Sequence, residues 1–195
     1  GENMALNPND LESLVISASE ALQAIQNEYG KKNVVETRVR FPRGFIRTAT
    51  EVRRTLPDLG KKVQRKNVSY ALMKNDVFRW LAIRTDLSGT ALSMVLKEGI
   101  SSLGGICEWL TKEATRGHGS RKPYAKRTEK LVDLIVIDSD LKDELDWIWE
   151  IRCNEHLHEV TSLEHTMYSR ADYNRALKAY SKFRDILVTI HGQAV

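Results

Sequence analysis

The segment Thr90-Ala91-Leu92-Ser93-Met94-Val95-Leu96-Lys97-Glu98-Gly99-Ile100-Ser101-Ser102-Leu103-Gly104-Gly105-Ile106-Cys107-Glu108-Trp109-Leu110 carries apolar residues at 92, 95, 96, 100, 103, 106, 107 and 110. Steps of three and four are the period of a helix with one buried face, and the run is far too long for a strand. The helix is expected to begin after Asp86 or Ser88 and to continue to about Thr115. Small residues interrupt it at Gly99, Ser101, Ser102, Gly104 and Gly105. A glycine inside a helix costs about 1 kcal/mol relative to alanine. Such a density of small residues implies close approach by another element. Gly104-Gly105 is not a phosphate loop, because the preceding strand and the glycine spacing of such a loop are both missing.

The rest of the chain reads the same way. Asn9 or Asp10 is placed to cap a first helix with Leu11, Leu14, Val15, Ala18, Leu22 and Ile25 on one face, ending near Gly30. Val34 to Thr50 breaks the pattern, and the alternating Val35, Thr37, Val39 and Phe41 predict a short strand or extended arm. A second helix is expected from about Val68 to Arg84, with Tyr70, Met73, Val77, Trp80 and Leu81 inward. After a loop at 117–124 come a short helix from about Thr128 to Ile137 and a helix capped by Ser139 or Asp140, with Leu141, Leu145, Ile148 and Trp149 inward. A last helix spans Ala171 to His191. The expected architecture is all-α: an up-and-down helical bundle over 68–195, with an N-terminal helix and basic appendage over 1–67.

Composition narrows the function. With 42% hydrophobic and 29% charged residues, the chain is of ordinary globular type. No apolar run approaches the roughly 18 residues needed to span a membrane. No basic-then-apolar leader is seen, which makes a cytoplasmic location the default expectation. The two cysteines, Cys107 and Cys153, are expected to be reduced core residues. The formal charge of +4 is modest but unevenly spread. Lys31 to Lys66 is dense in cations, among them Arg38, Arg40, Arg43, Arg47, Arg53 and Arg54, and a second cluster includes Arg121 and Lys122. Basic segments on an otherwise balanced chain suggest a polyanion partner, with RNA contacts expected at these eight residues. The alternative is two solvated loops with no ligand.

The chemistry-bearing stretch is Leu145 to Val160, where Arg152, Asn154, His156 and His158 fall within two helical turns. Arginine is a permanent cation able to grip a phosphate with two hydrogen bonds. Histidine titrates near neutral pH. Asparagine can fix a histidine tautomer or hold a ribose hydroxyl. At about 100° per residue, Asn154 and His158 share a face, whereas Arg152 and His158 converge only if the helix tightens or ends there. Trp147 is the better base-stacking candidate and Trp149 the better core candidate. Metal binding by His156, His158 and His165 with Glu155 or Glu164 is the rival chemistry. Residues with one position between them point to different sides of a helix, and no His-Glu-x-x-His or Cys-x-x-Cys arrangement is present, so no metal or other cofactor is expected.

These residues resemble the HEPN family of all-helical domains, whose motif is an Arg followed by four to six positions and a His near the end of the third bundle helix. Arg152 and His158 fit with five residues between them, although Cys153 stands where Asn most often follows the Arg. The order of helices from about Asp86 to His191 is similar too. The resemblance implies a homodimer with two Arg152–His158 pairs facing one cleft, and metal-independent endoribonuclease activity of toxin or defence type. In that scheme His158 exchanges the proton, Arg152 stabilises charge on the phosphorane, and Asn154 orients His158 or the ribose. It equally admits a non-catalytic RNA-binding module, or a partner of an antitoxin or nucleotidyltransferase.

Overall fold

The computed structural model of the chain describes residues 7–154 and 167–194. These form two compact units, Gly1–Arg43 and Gly44–Val195. All regular structure among the described residues is helical, in seven α-helices and one 3-10 turn.

In the first unit, α1 (Pro8–Tyr29) begins two or three residues earlier than the sequence suggested. Proline at the first helical position needs no amide partner, and Asn7, not Asn9 or Asp10, is the N-cap, accepting from the Asn9 amide at 3.1 Å. Gly30 closes the helix at a φ of +54°. The expected apolar face is present, but no residue of α1 is buried. Val35–Thr37 is a 3-10 turn rather than a strand, with the Thr37 hydroxyl donating to the Val34 carbonyl at 2.7 Å. Without a neighbouring strand, the alternation there has nothing to pair with.

The second unit holds α2 (Ala49–Arg53), α3 (Lys62–Arg84), α4 (Gly89–Ala114), α5 (Tyr124–Asp133), α6 (Ser139–Cys153) and α7 (Arg170–His191). Residues 44–67, read from sequence as part of the appendage, lie in this unit, where α2 packs on α3. Helix α2 went unforeseen, yet its signal is local: Thr48 accepts from the Glu51 amide while Glu51 accepts from the Thr48 amide, a reciprocal capping box.

Helix α4 is the hub and touches α3, α5, α6 and α7. Its stripe Leu96, Ile100, Leu103, Ile106, Cys107 and Leu110 is fully buried, as the periodicity required. The small residues admit neighbours. A Cβ on Gly99 would lie 2.7 Å from the Tyr173 ring of α7, and one on Gly104 would lie 3.2 Å from the Ile148 carbonyl of α6. Close backbone approach is therefore what the glycines serve.

Helix α3 departs from expectation. It starts at Lys62, and its inward face carries Val68, Leu72, Asn75, Asp76 and Ala82, whereas Tyr70 is 56% exposed. Polar residues occupy buried positions because each finds a distant partner. The Asn75 amide donates to the Gly99 carbonyl at 2.8 Å, and Asp76 accepts two hydrogen bonds from the Arg47 guanidinium and one from the Arg47 amide. Helix α5 begins at Tyr124, directly after Pro123, rather than at Thr128. Asp138, not Ser139 or Asp140, caps α6, accepting from the Leu141 amide at 2.7 Å. No helix among the described residues is long and apolar enough to cross a membrane.

Candidate functional site

Arg152 sits in the last turn of α6 and lies over the glycine pair of α4. A Cβ on Gly104 would be 3.0 Å from the Arg152 Cβ, and one on Gly105 would be 3.5 Å from the guanidinium carbon. The two glycines thus form a floor on which the arginine lies. Its Nε is 3.8 Å from a carboxylate oxygen of Glu108, with both side chains about one-third exposed. At that separation and exposure this one attraction is weak. Arg152 lines a cavity of about 280 Å³ together with Ser102, Ile106, Asn67, Ala71 and Lys74, so a second cation, from α3, shares it.

Asn154 is the C-cap of α6. Its carbonyl accepts a hydrogen bond at 3.0 Å from the ammonium of Lys97, a residue of α4 that is only 6% exposed. Asn154 lines a different cavity, of about 270 Å³, with Trp147, Ile151, Met167, Tyr168 and Asp172. The structure therefore places Arg152 and Asn154 at the same helix end but on separate cavities. His156, His158 and His165 lie outside the described residues. Among the described residues, no three His, Cys, Asp or Glu side chains gather as a metal site. Neither Cys107 nor Cys153 is in a disulfide; Cys107 is buried, whereas Cys153, expected in the core, is only half-buried. Burial pushes the Cys107 thiol up to about 12, which removes it as a nucleophile.

Both tryptophans pack against the core. Trp149 stacks on Tyr124 with ring centroids 4.6 Å apart. Trp147 has one face covered by the Arg175 guanidinium, 3.9 Å from its centroid, and Arg175 is held in turn by both carboxylate oxygens of Glu144. A base could reach only the other face.

Of the expected RNA-binding cations, Arg38, Arg40 and Arg43 are exposed in the first unit, with Arg38 donating to the Asn33 side chain at 3.0 Å. Arg47 has a structural task. Its guanidinium is clasped by Asp76, chiefly through hydrogen bonding, which raises its pKa, and the clasp fastens the segment before α2 onto α3. Arg53 and Arg54 do converge. They line a cavity of about 710 Å³ with Lys62, Arg65 and Lys66, and with Thr50, Gln193 and Ala194. Arg121 is exposed, while Lys122 lines a third basic hollow of about 600 Å³ with His118, Lys126 and Lys130, where Glu129 and Asp133 also contribute.

Lys97 and Lys74 are the residues sequence reasoning passed over. A lysine set in the apolar stripe of α4, beside Leu96 and one turn from Ser93 and Ser101, was the available signal for Lys97. No family model, curated protein or solved structure matches this chain.

Proposed function

We propose that this chain is an RNA-acting domain of HEPN type that cleaves RNA without a metal, as a homodimer with Arg152 and His158 at a shared cleft. The observation that carries the reading is the seat of Arg152: a partly exposed guanidinium resting on Gly104-Gly105 and opening onto a cavity that Lys74 shares. A cation held on a rigid floor beside a second cation is suited to a phosphate whose charge grows as the reaction proceeds. In the proposed step the ribose 2′-oxygen attacks the adjacent phosphorus. The bond to the 5′-oxygen breaks, leaving a 2′,3′-cyclic phosphate and a 5′-hydroxyl. His158 takes the proton from the 2′-hydroxyl or returns one to the leaving oxygen, work typically worth 10²–10⁴-fold. Arg152 offsets charge on the phosphorane. A toxin or defence role in the cytoplasm, with an antitoxin or nucleotidyltransferase partner, is the setting we attach to this reading.

The test is RNA cleavage by purified protein in EDTA, with the new ends identified chemically. Cyclic phosphate ends that vanish in Arg152→Ala and His158→Ala support the assignment. Undiminished cleavage by His158→Ala sinks it.

A second reading is favoured by the separation of Arg152 and Asn154 onto different cavities: a HEPN-type module that binds RNA and does not cut it. It predicts binding that weakens steeply with salt and no cleavage at any enzyme concentration.

A further inference from the structure

The cavity between α2, the start of α3 and the C-terminal tail is a wall of like charge. Arg53, Arg54, Lys62, Arg65 and Lys66 line it, and among the described residues no carboxylate side chain does. Asp58 pairs with Arg65 at 3.0 Å and so offsets one of the five, while Glu51 closes the capping box on Thr48. The four cations around the hollow other than Arg65 repel one another, a cost that an entering anion would relieve.

The local helix sequence runs the same way. Lys61 is the N-cap of α3 and no acid lies in the first turn. Lysine has no acceptor for the first-turn amides, and cations at this end oppose the helix dipole. The arrangement is poor for the stability of an empty fold and well matched to a phosphate.

The walls are built rather than loose. Val52 and Leu56 beneath them are fully buried. The tail is strapped down by hydrogen bonds from the Asp58 amide to the Gly192 carbonyl and from the Ala194 amide to the Leu56 carbonyl, both 2.9 Å, which brings Gln193 to the rim. The Arg65 side chain is 14% exposed and donates to the Leu59 and Gly60 carbonyls at 3.2 and 2.9 Å. Gly60 makes the turn into α3 at a φ of +66°, where a Cβ would lie 3.0 Å from Trp109. A volume of about 710 Å³ falls within the range of small-molecule sites.

We infer that this cavity is a phosphate-binding site, separate from the Arg152 cavity, that takes the phosphate groups of a nucleotide or of a single RNA strand. It stands whether or not Arg152 cleaves RNA. Lys66 here and Asn67 of the Arg152 cavity are consecutive in α3, so a bound strand has a short path from one to the other.

The experiment measures binding of ATP and of a short single-stranded RNA to the full chain and to Arg54→Glu/Lys62→Glu. Both residues are exposed, so the fold should survive, and unchanged melting of the variant verifies that. The expected result is at least a tenfold loss in the double variant for whichever probe binds the wild-type chain. Binding of ATP assigns a nucleotide site, and binding of RNA alone assigns a strand site. A variant that binds as tightly as wild type, or a wild-type chain that binds neither probe, overturns the inference. Since cleavage is not the readout, failure here leaves the Arg152 assignment to its own test.

Discussion

The buried ammonium of Lys97 donates to the carbonyl oxygen of Asn154 across 3.0 Å, so α4 holds the C-terminus of α6 by a charge-assisted hydrogen bond. The last carbonyls of a helix have no partners of their own, and a cation there suits the dipole. The bond fixes the turn that carries Arg152. In Lys97→Met, loss of this bond and relief of a buried charge oppose each other, and global stability changes little. The local effect is not offset. Hydrogen bonds to charged groups are worth about 1.5–3 kcal/mol, so amide exchange at Cys153 and Asn154 should quicken about tenfold or more. Unchanged exchange there would show that Lys97 does not hold this turn.

The glycines of α4 differ in what they admit, and alanine substitutions should rank accordingly. At Gly99 a Cβ would press to 2.7 Å against Tyr173, a buried ring. Overpacking of this kind costs about 1–3 kcal/mol, more than the roughly 1 kcal/mol that alanine returns in helix propensity. At Gly104 the contacts of 3.0 and 3.2 Å are tight but less severe, whereas at Gly105 the nearest atom is 3.5 Å away. Thermal melting should therefore order the variants Gly105→Ala, Gly104→Ala, Gly99→Ala from most to least stable. A Gly99→Ala protein as stable as Gly105→Ala would contradict the packing described.

Helix α5 ends in a Schellman motif that lacks its usual residue. The Val136 amide donates to the Leu131 carbonyl and the Ile135 amide to the Val132 carbonyl, both at 2.9 Å, and Ile135 takes a φ of +56°. A left-handed conformation costs an L-residue roughly 1–2 kcal/mol, and a β-branched side chain suits it poorly. Ile135 is 91% exposed, so its side chain returns almost nothing by burial. Ile135→Gly should stabilise the fold by about 1 kcal/mol after allowance for the added freedom of the unfolded chain. In a chain of this size that corresponds to a rise of about 2–4 °C in Tm. A lower Tm would mean that the strain is absent or that the side chain has a contact partner.

Local pattern carried the fold where burial was apolar and failed where it was polar. The stripe of α4 from Leu96 to Leu110 was legible because every buried position there is hydrophobic. The inward face of α3 was misread toward Tyr70 because Asn75 and Asp76 take core positions, and what satisfies them, the Gly99 carbonyl and Arg47, lies 24 and 29 residues away. The start of α3 was hidden for a related reason: Lys62, Arg65 and Lys66 carry neither an apolar stripe nor a cap. The same residues were visible as a charge run, but only the strapping of the tail to Leu56 and Asp58 makes them walls of one cavity. Asn154 was read as lying within the motif helix one turn before His158, whereas it is the C-cap of α6. The separation of Arg152 and Asn154 onto two cavities depends on α3 and on residues 167–172, which no local spacing could supply.

Acid should unfold this protein partly through its helix caps. Asp138 accepts from the Leu141 amide and, secondarily, from Lys182, and both hold its carboxyl below the usual carboxylate range. Glu51 is lowered likewise by the Thr48 amide and hydroxyl, and Glu129 by Lys126. A carboxyl whose folded pKa lies below its unfolded value contributes stability above the ordinary carboxylate range, and that contribution is lost as pH falls through the ordinary values toward the lowered ones. Tm should therefore hold near neutrality and decline below about pH 5. Asp138→Asn separates capping from titration, since asparagine serves as an N-cap about as well as aspartate but does not ionise. The exposed pair with Lys182 contributes little, so the variant should melt close to wild type at neutral pH and lose less Tm as the solution is acidified. An acid limb as steep as wild type would mean that Asp138 is not among the groups whose protonation drives unfolding.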